Sequence, residues 1–276
     1  MLISVATANY YHLPFEQALE IIALSGIRLV ELDMFWERKK WAMAQHLRGY
    51  APREVVRLIN QAGLKVSSIH DGGGVLDSPN TIDGFINPQL AVYLDQLGYA
   101  PDCLVFHTPH VEGSLDDNWW QTFDSQVVDA LRPFRRVCPT LTIENMPFFD
   151  GYYVPLTSPE QLMAFVCKAG LGVTLDTTHY AYIGMDITYA AKTLYGKVKT
   201  IHLSDFVDGK IHVFPGDGEL NFPEFLRALD FSALQAITLE CAPAYLGENT
   251  AELGTPALAE RLSKAKSRLE KWISDC

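Results

Sequence analysis

The chain has 276 residues, 48% of them hydrophobic and 20% charged, and a formal net charge of −11. That is enough chain for a sizeable core, and close to the roughly 250 residues that a (β/α)8 barrel needs as one domain. The acidic balance disfavours broad contact with a nucleic-acid backbone, which needs clustered Lys and Arg, and suits a small-molecule ligand.

The five cysteines, Cys103, Cys138, Cys167, Cys241 and Cys276, are scattered and make no C-x-x-C pair. They read as reduced thiols of a cytoplasmic protein. The opening MLISVATANYYHLPF has no basic region and no long apolar run, so it reads as a first strand and not a signal peptide. No stretch reaches the ~18 apolar residues of a membrane helix.

Strand-like and helix-like segments alternate from end to end, the pattern of parallel β/α units. The first strand is LISVA, and the helix FEQALEIIALSG follows Pro14 and closes on Gly26. Strand two is RLVELDM, with a loop rich in basic residues and tryptophan (Trp36, Trp41), and helix two is PREVVRLINQAG. Strand three is KVSSIH, followed by DGGG, which reads as a flexible rim loop, and then by the helix NPQLAVYLDQLG. Strand four is CLVFHTP, and its helix runs over 118–137. Strand five is LTIEN, with an aromatic loop, and Ser158-Pro159-Glu160 opens helix five with cap, proline and acid in the favoured order. GVTLD, VKTIHLSD and AITLE are strands six to eight, with helices at DITYAAKTLYG, PEFLRALD and 256–274. No linker or charge block interrupts this order, so the expected architecture is a single (β/α)8 TIM barrel over residues 1–276.

Active sites of such barrels sit at the C-terminal ends of the strands. At those ends stand His70, His107, Glu144, Asp176 with His179, His202, His212 and Glu240, so that five of the eight histidines fall in one zone. A single histidine there is more often a hydrogen-bonded structural residue. Five histidines converging with three acids point to a metal site. Carboxylates with one imidazole suit Mn²⁺, Mg²⁺ or Co²⁺, and added histidines suit Zn²⁺. Asp205 reads as a loop-capping acid, and Asn145 as packing or as orienting Glu144. Phe148, Phe149, Tyr152 and Tyr153 with the two tryptophans read equally as a wall over a substrate, as loop packing, or as a subunit contact in a homo-oligomer. Trp119 and Trp120 read as packing at the start of helix four, and His12, His46 and His110 carry no assigned role.

The order TIEN, LDTTH, IHLSD and TLE at strands five to eight resembles the xylose-isomerase-like TIM barrels, a superfamily of sugar isomerases and epimerases that includes the apurinic endonucleases of family 2. The resemblance spans essentially the whole chain. Its epimerase branch implies one divalent metal on Glu144, Asp176, His202 and Glu240, with Glu144 and Glu240 also exchanging a proton with the substrate through a metal-stabilised enediolate, and His179 binding a substrate oxygen. Its endonuclease IV branch implies three zinc ions on those four residues plus His70, His107, His179 and His212. The ninth ligand of that branch, an aspartate, falls on Lys210, which puts the third zinc in doubt. Lys210 reads either as a contact to an anionic group of a substrate or as a solvated lysine in the turn VDGK. The expected function is a metal-dependent isomerase or epimerase of a small sugar or polyol. The alternatives are a multi-zinc phosphodiesterase, a dehydratase on the same barrel, and a barrel that binds without catalysing.

Overall fold

The computed structural model describes residues 2–34, 47, 49–88, 90–98, 100–148, 150–244 and 246–276. Trp36, Trp41, His46 and Phe149 lie outside them.

Eight parallel strands close into a barrel: β1 (Leu2–Ala6), β2 (Leu29–Met34), β3 (Lys65–Asp71), β4 (Cys103–His107), β5 (Thr140–Glu144), β6 (Gly172–Asp176), β7 (Val198–Leu203) and β8 (Ala236–Leu239). Each pairs with its neighbours in sequence, and β8 closes the ring on β1 with Leu2 opposite Ala236. Helices α1 (Phe15–Leu24), α2 (Pro52–Gln61), α3 (Leu90–Leu97), α4 (Asp117–Leu131), α5 (Pro159–Ala169), α7 (Ile187–Thr193), α8 (Phe222–Arg227) and α9 (Thr250–Ser274) cover the outside, and the short α6 (Thr177–Tyr182) stands at the strand exits. The outward apolar side chains of the strands, such as Val30, Leu32, Ile143 and Leu175, are buried under these helices.

Local chemistry sets the helix ends. Asp116 caps α4 by accepting from the Asn118 and Trp119 amides, and Ser158 caps α5 by accepting from Gln161. α4 stops at Leu131, short of the expected 137, and Arg132–Arg136 continues as a 3-10 turn. Pro133 within it has no amide to extend the α-helical ladder. In α9, Gly254 is non-helical (φ 73°, ψ 161°), so the uninterrupted helix runs from about Pro256, where the sequence placed it.

The barrel interior is polar directly below the strand exits. Thr142, Thr174 and Thr200 form a hydroxyl ladder with Oγ1–Oγ1 distances of 2.7 Å at each step. Each precedes a buried functional side chain by two residues, the spacing that keeps both on one face of a strand. The ladder therefore forms the floor under Glu144, Asp176 and His202.

Two small sheets stand beyond the strand exits. One is a hairpin of Asp205–Val207 and Lys210–Val213. The other joins Val75–Leu76, His110–Glu112 and Tyr152–Tyr153. Among the described residues, no helix is long and apolar enough to cross a membrane.

Candidate metal centre

Four strands deliver the central group. Glu144 ends β5, Asp176 ends β6, His202 lies near the end of β7, and Glu240 follows β8. One ligand atom from each lies within 4.8 Å of all the others. His202 Nδ1 is 2.8 Å from Glu240 Oε2 and 3.3 Å from Glu144 Oε1. Glu144, Asp176 and His202 are fully buried, and the Glu240 side chain keeps 12% exposure on the open side.

The donor set fits a divalent cation. Both Glu144 oxygens, Asp176 Oδ2, His202 Nδ1 and Glu240 Oε2 are buried without a hydrogen-bond partner. Buried carboxylate oxygens left in that state are costly, and a cation among them satisfies all at once. Without it, protons do the neutralising. Burial opposes a charge on His202, but the Glu31, Glu144 and Glu240 carboxylates outweigh it and hold the imidazole well above its usual range. Burial pushes Glu144 up, but His202 and His70 outweigh it and bring the carboxyl well below the ordinary value. Burial raises Asp176, against His179 and His212.

α6 was not expected. It starts straight off β6, with Asp176 as its N-cap: Oδ1 accepts from the His179 amide at 2.7 Å and from Thr178 Oγ1 at 3.0 Å, leaving Oδ2 for the centre. This turn brings His179 back over Glu144, with Nδ1 3.3 Å from Glu144 Oε1 and 2.9 Å from the Asn145 carbonyl. Burial lowers the His179 pKa, but Asp176 and Glu144 prevail and raise it to about 9.

A second group borders the first. His70 Nε2 is 3.1 Å from Glu144 Oε2 and 2.8 Å from His107 Nε2, and the three residues could hold an ion of their own. Burial and the His70 charge push His107 down to about 3. His107 Nδ1 donates to the Gly73 carbonyl at 3.0 Å, so its Nε2 is turned to the group. The DGGG stretch is therefore not the flexible rim loop expected of it. A Cβ on Gly73 would stand 2.2 Å from the Phe85 carbonyl, and Gly74 has φ +102° with its Cβ position 2.8 Å from His107 Cβ. These glycines let backbone lie flat against the site.

The remaining residues divide. His212 is buried, with Nδ1 3.2 Å from the Glu240 carbonyl and its ring 5.7 Å from that of His179. Lys210 is exposed on the hairpin, paired with Val207 across the Asp208-Gly209 turn, and is in none of the ligand groups. Asp205 organises the loop behind the hairpin by accepting from the amides of Gly216, Gly218 and Leu220. Tyr153 packs edge-on against Trp119, Trp119 stacks on Phe123 at 4.7 Å, and Phe148 is exposed.

Two further acids stand at the centre, inside a strand and not at its exit. Glu31 and Asp33 of β2 are fully buried inside the barrel, beside His202 and His70. Their signal was available: two acids two residues apart in an otherwise apolar strand.

A closed parallel barrel with a carboxylate-rich ligand group at its strand exits defines a fold that hosts many metal enzymes. The chain belongs to the xylose isomerase-like TIM barrel family, whose model matches residues 19–265. A search of curated proteins gives no match. Among solved structures, an L-ribulose 3-epimerase superposes with a TM-score of 0.72 at 16% identity, over 100% of this chain and 95% of that one. An AP endonuclease of family 2 from Brucella melitensis gives 0.65 at 17% identity, over 87% and 93%. A probable 3-DHS dehydratase from Bacillus anthracis gives 0.63 at 16% identity, over 95% and 97%. At these identities the likeness establishes the fold alone.

Proposed function

We propose that the protein is a divalent-cation-dependent isomerase or epimerase of a small polyhydroxylated compound, a sugar or polyol, with one cation held by Glu144, Asp176, His202 and Glu240. The observation that carries this reading is the convergence of three carboxylates and one imidazole whose facing atoms lack partners. Three oxygen donors to one nitrogen favour Mn²⁺, Mg²⁺ or Co²⁺ over Zn²⁺. When bound, the cation supplies Lewis acidity that lowers the cost of an enediolate.

The chain's own residues do the rest. Glu144 and Glu240 come from strands separated by β6 and β7, so they approach the centre from different sides. One carboxylate takes the proton from the carbon beside the carbonyl, and the other returns it. His179, fixed on α6 with Nδ1 held by the Asn145 carbonyl, binds a substrate oxygen. Burial of Glu144 and His202 keeps bulk water from these exchanges.

The test begins with elemental analysis of protein purified without a chelating tag. About one divalent ion per chain, with turnover of a ketose or an inosose-type cyclic keto-polyol that both Glu144→Gln and Glu240→Gln abolish, supports the reading. No ion, with none rebinding, overturns it. The His70–His107–Glu144 group favours a second reading, a multi-zinc phosphodiesterase. Two or three zinc ions per chain and cleavage of abasic-site DNA or a small phosphodiester would establish it in place of the first.

A further inference from the structure

Glu31 is a fully buried carboxylate in the hydroxyl floor of the barrel, two residues before Asp33 on the same strand. Its Oε2 accepts from Ser68 Oγ at 2.7 Å, which anchors the side chain to β3. Its Oε1 lies 2.9 Å from His202 Nε2. The other nitrogen of that ring, Nδ1, faces Glu144 and Glu240. His202 therefore stands between two sets of carboxylates, one on each ring nitrogen. The contact with Glu31 is an ion pair and not an aligned hydrogen bond: neither Glu31 Oε1 nor His202 Nε2 has a hydrogen-bond partner. Two unsatisfied buried atoms of opposite character, 2.9 Å apart, have an evident use for one another.

We propose that Glu31 is a positioning residue for the metal centre: it engages Nε2 of His202 and so presents Nδ1 to the cation, with Ser68 holding the carboxylate in place. The inference rests on the one-cation reading above. Its physical basis is general. A ligating imidazole is fixed in orientation and made more basic when a carboxylate takes the proton on its far nitrogen. Glu31 Oε1 faces His202 Nε2 at 2.9 Å and lies farther, at 3.7 Å, from His70 Nδ1, so the stronger engagement is with His202. Asp33 stands in a parallel relation to His70, with Oδ1 3.3 Å from His70 Nδ1 while Oδ2 accepts from Thr7 Oγ1 and the Ala8 amide. One strand thus supports two histidines, at the spacing that puts both acids on the same face.

The experiment measures Mn²⁺ or Co²⁺ affinity of the metal-stripped protein by competition with a chromophoric chelator, beside the melting temperature of the same metal-free samples. Glu31→Gln keeps the volume and removes the charge. It is expected to weaken affinity by about 10–100-fold at unchanged stoichiometry, and to alter the visible spectrum of bound Co²⁺. Ser68→Ala is expected to weaken affinity in the same direction by less. Affinity within threefold of wild type in a folded Glu31→Gln protein, whatever its melting temperature, overturns the proposal and leaves Glu31 a packing residue. If Glu31→Gln does not fold, Ser68→Ala decides by the same two readouts, unchanged affinity again overturning it. Wild-type protein that binds no divalent cation overturns the one-cation reading and this inference together. Wild-type binding with unchanged variants overturns this inference alone.

Discussion

Asn145 and Asp176 hold one another by a reciprocal pair of hydrogen bonds. Asn145 Nδ2 donates to the Asp176 carbonyl at 3.0 Å, and the Asp176 amide donates to Asn145 Oδ1 at 2.8 Å. The last backbone pairing between β5 and β6 sets Glu144 opposite Thr174. The Asn145 amide thus extends the ladder by side chain and locks the exits of the two strands that carry Glu144 and Asp176. Asn145→Ala leaves both buried backbone groups without these partners and is expected to cost about 1–3 kcal/mol. Asn145→Asp keeps the acceptor but loses the donor and adds a buried charge beside two carboxylates. Urea denaturation of both variants checks this, with Asn145→Asp the less stable.

A cation that binds the folded protein alone stabilises it by mass action. At a hundredfold excess over its dissociation constant the gain is about 2.7 kcal/mol, or roughly 5–10 °C in melting temperature for a chain of this size. Chelator-stripped protein is expected to regain that shift with Mn²⁺ or Co²⁺. Glu144→Gln and Glu240→Gln are expected to lose more than half of it, since each removes a charged oxygen donor. Scanning calorimetry at matched free-metal concentration reads the difference.

The strand exits were legible because β-branched runs end in polar residues of metal-binding type, and Glu144, Asp176, His202 and Glu240 all fell where that pattern put them. What the pattern could not give is which way an acid inside a strand points. The register shift between Val30 and Glu31 in the β2–β3 pairing lies beside the two acids of β2, and no periodicity in the sequence marks it. α6 escaped because it is a six-residue helix whose cap, Asp176, is also the last residue of a strand. The Asp208-Gly209 pair was readable as a two-residue hairpin turn, both residues having positive φ, and it explains why Lys210 lies on the surface. Glycine content alone misled at Gly73 and Gly74, where the absence of a side chain serves close packing.

The loop after β7 depends on Asp205. Its carboxylate accepts from the amides of Gly216, Gly218 and Leu220 and from its neighbour Phe206, and a Cβ on Gly218 would stand 2.5 Å from Asp205 Oδ1. Asp205→Ala orphans several amides at once and is expected to destabilise by more than about 3 kcal/mol. Gly218→Ala must push the carboxylate or the loop aside and is expected to destabilise as well, while leaving cation affinity near wild type, because the turn is held by Asp205 and the Phe206 carbonyl. Urea denaturation and chelator competition separate the two effects.

His110 gives the protein a specific weakness to acid. Burial pushes its pKa down to about 4, with the Thr108 carbonyl at 3.1 Å from Nδ1 pulling slightly the other way. In the unfolded chain the ring titrates near 6.5. Between those values the unfolded chain holds a proton that the folded protein does not, so stability rises with pH across that window and falls as pH drops through it. The loss from this one ring reaches about 3 kcal/mol at the acid end. His110→Gln takes no proton in either state. In metal-free protein the difference in unfolding free energy between wild type and His110→Gln, followed from pH 7.5 to pH 4.5, is expected to shift in favour of the variant below pH 6.5. A difference that stays constant over that range would mean the ring titrates alike in both states, and so is not held neutral by burial.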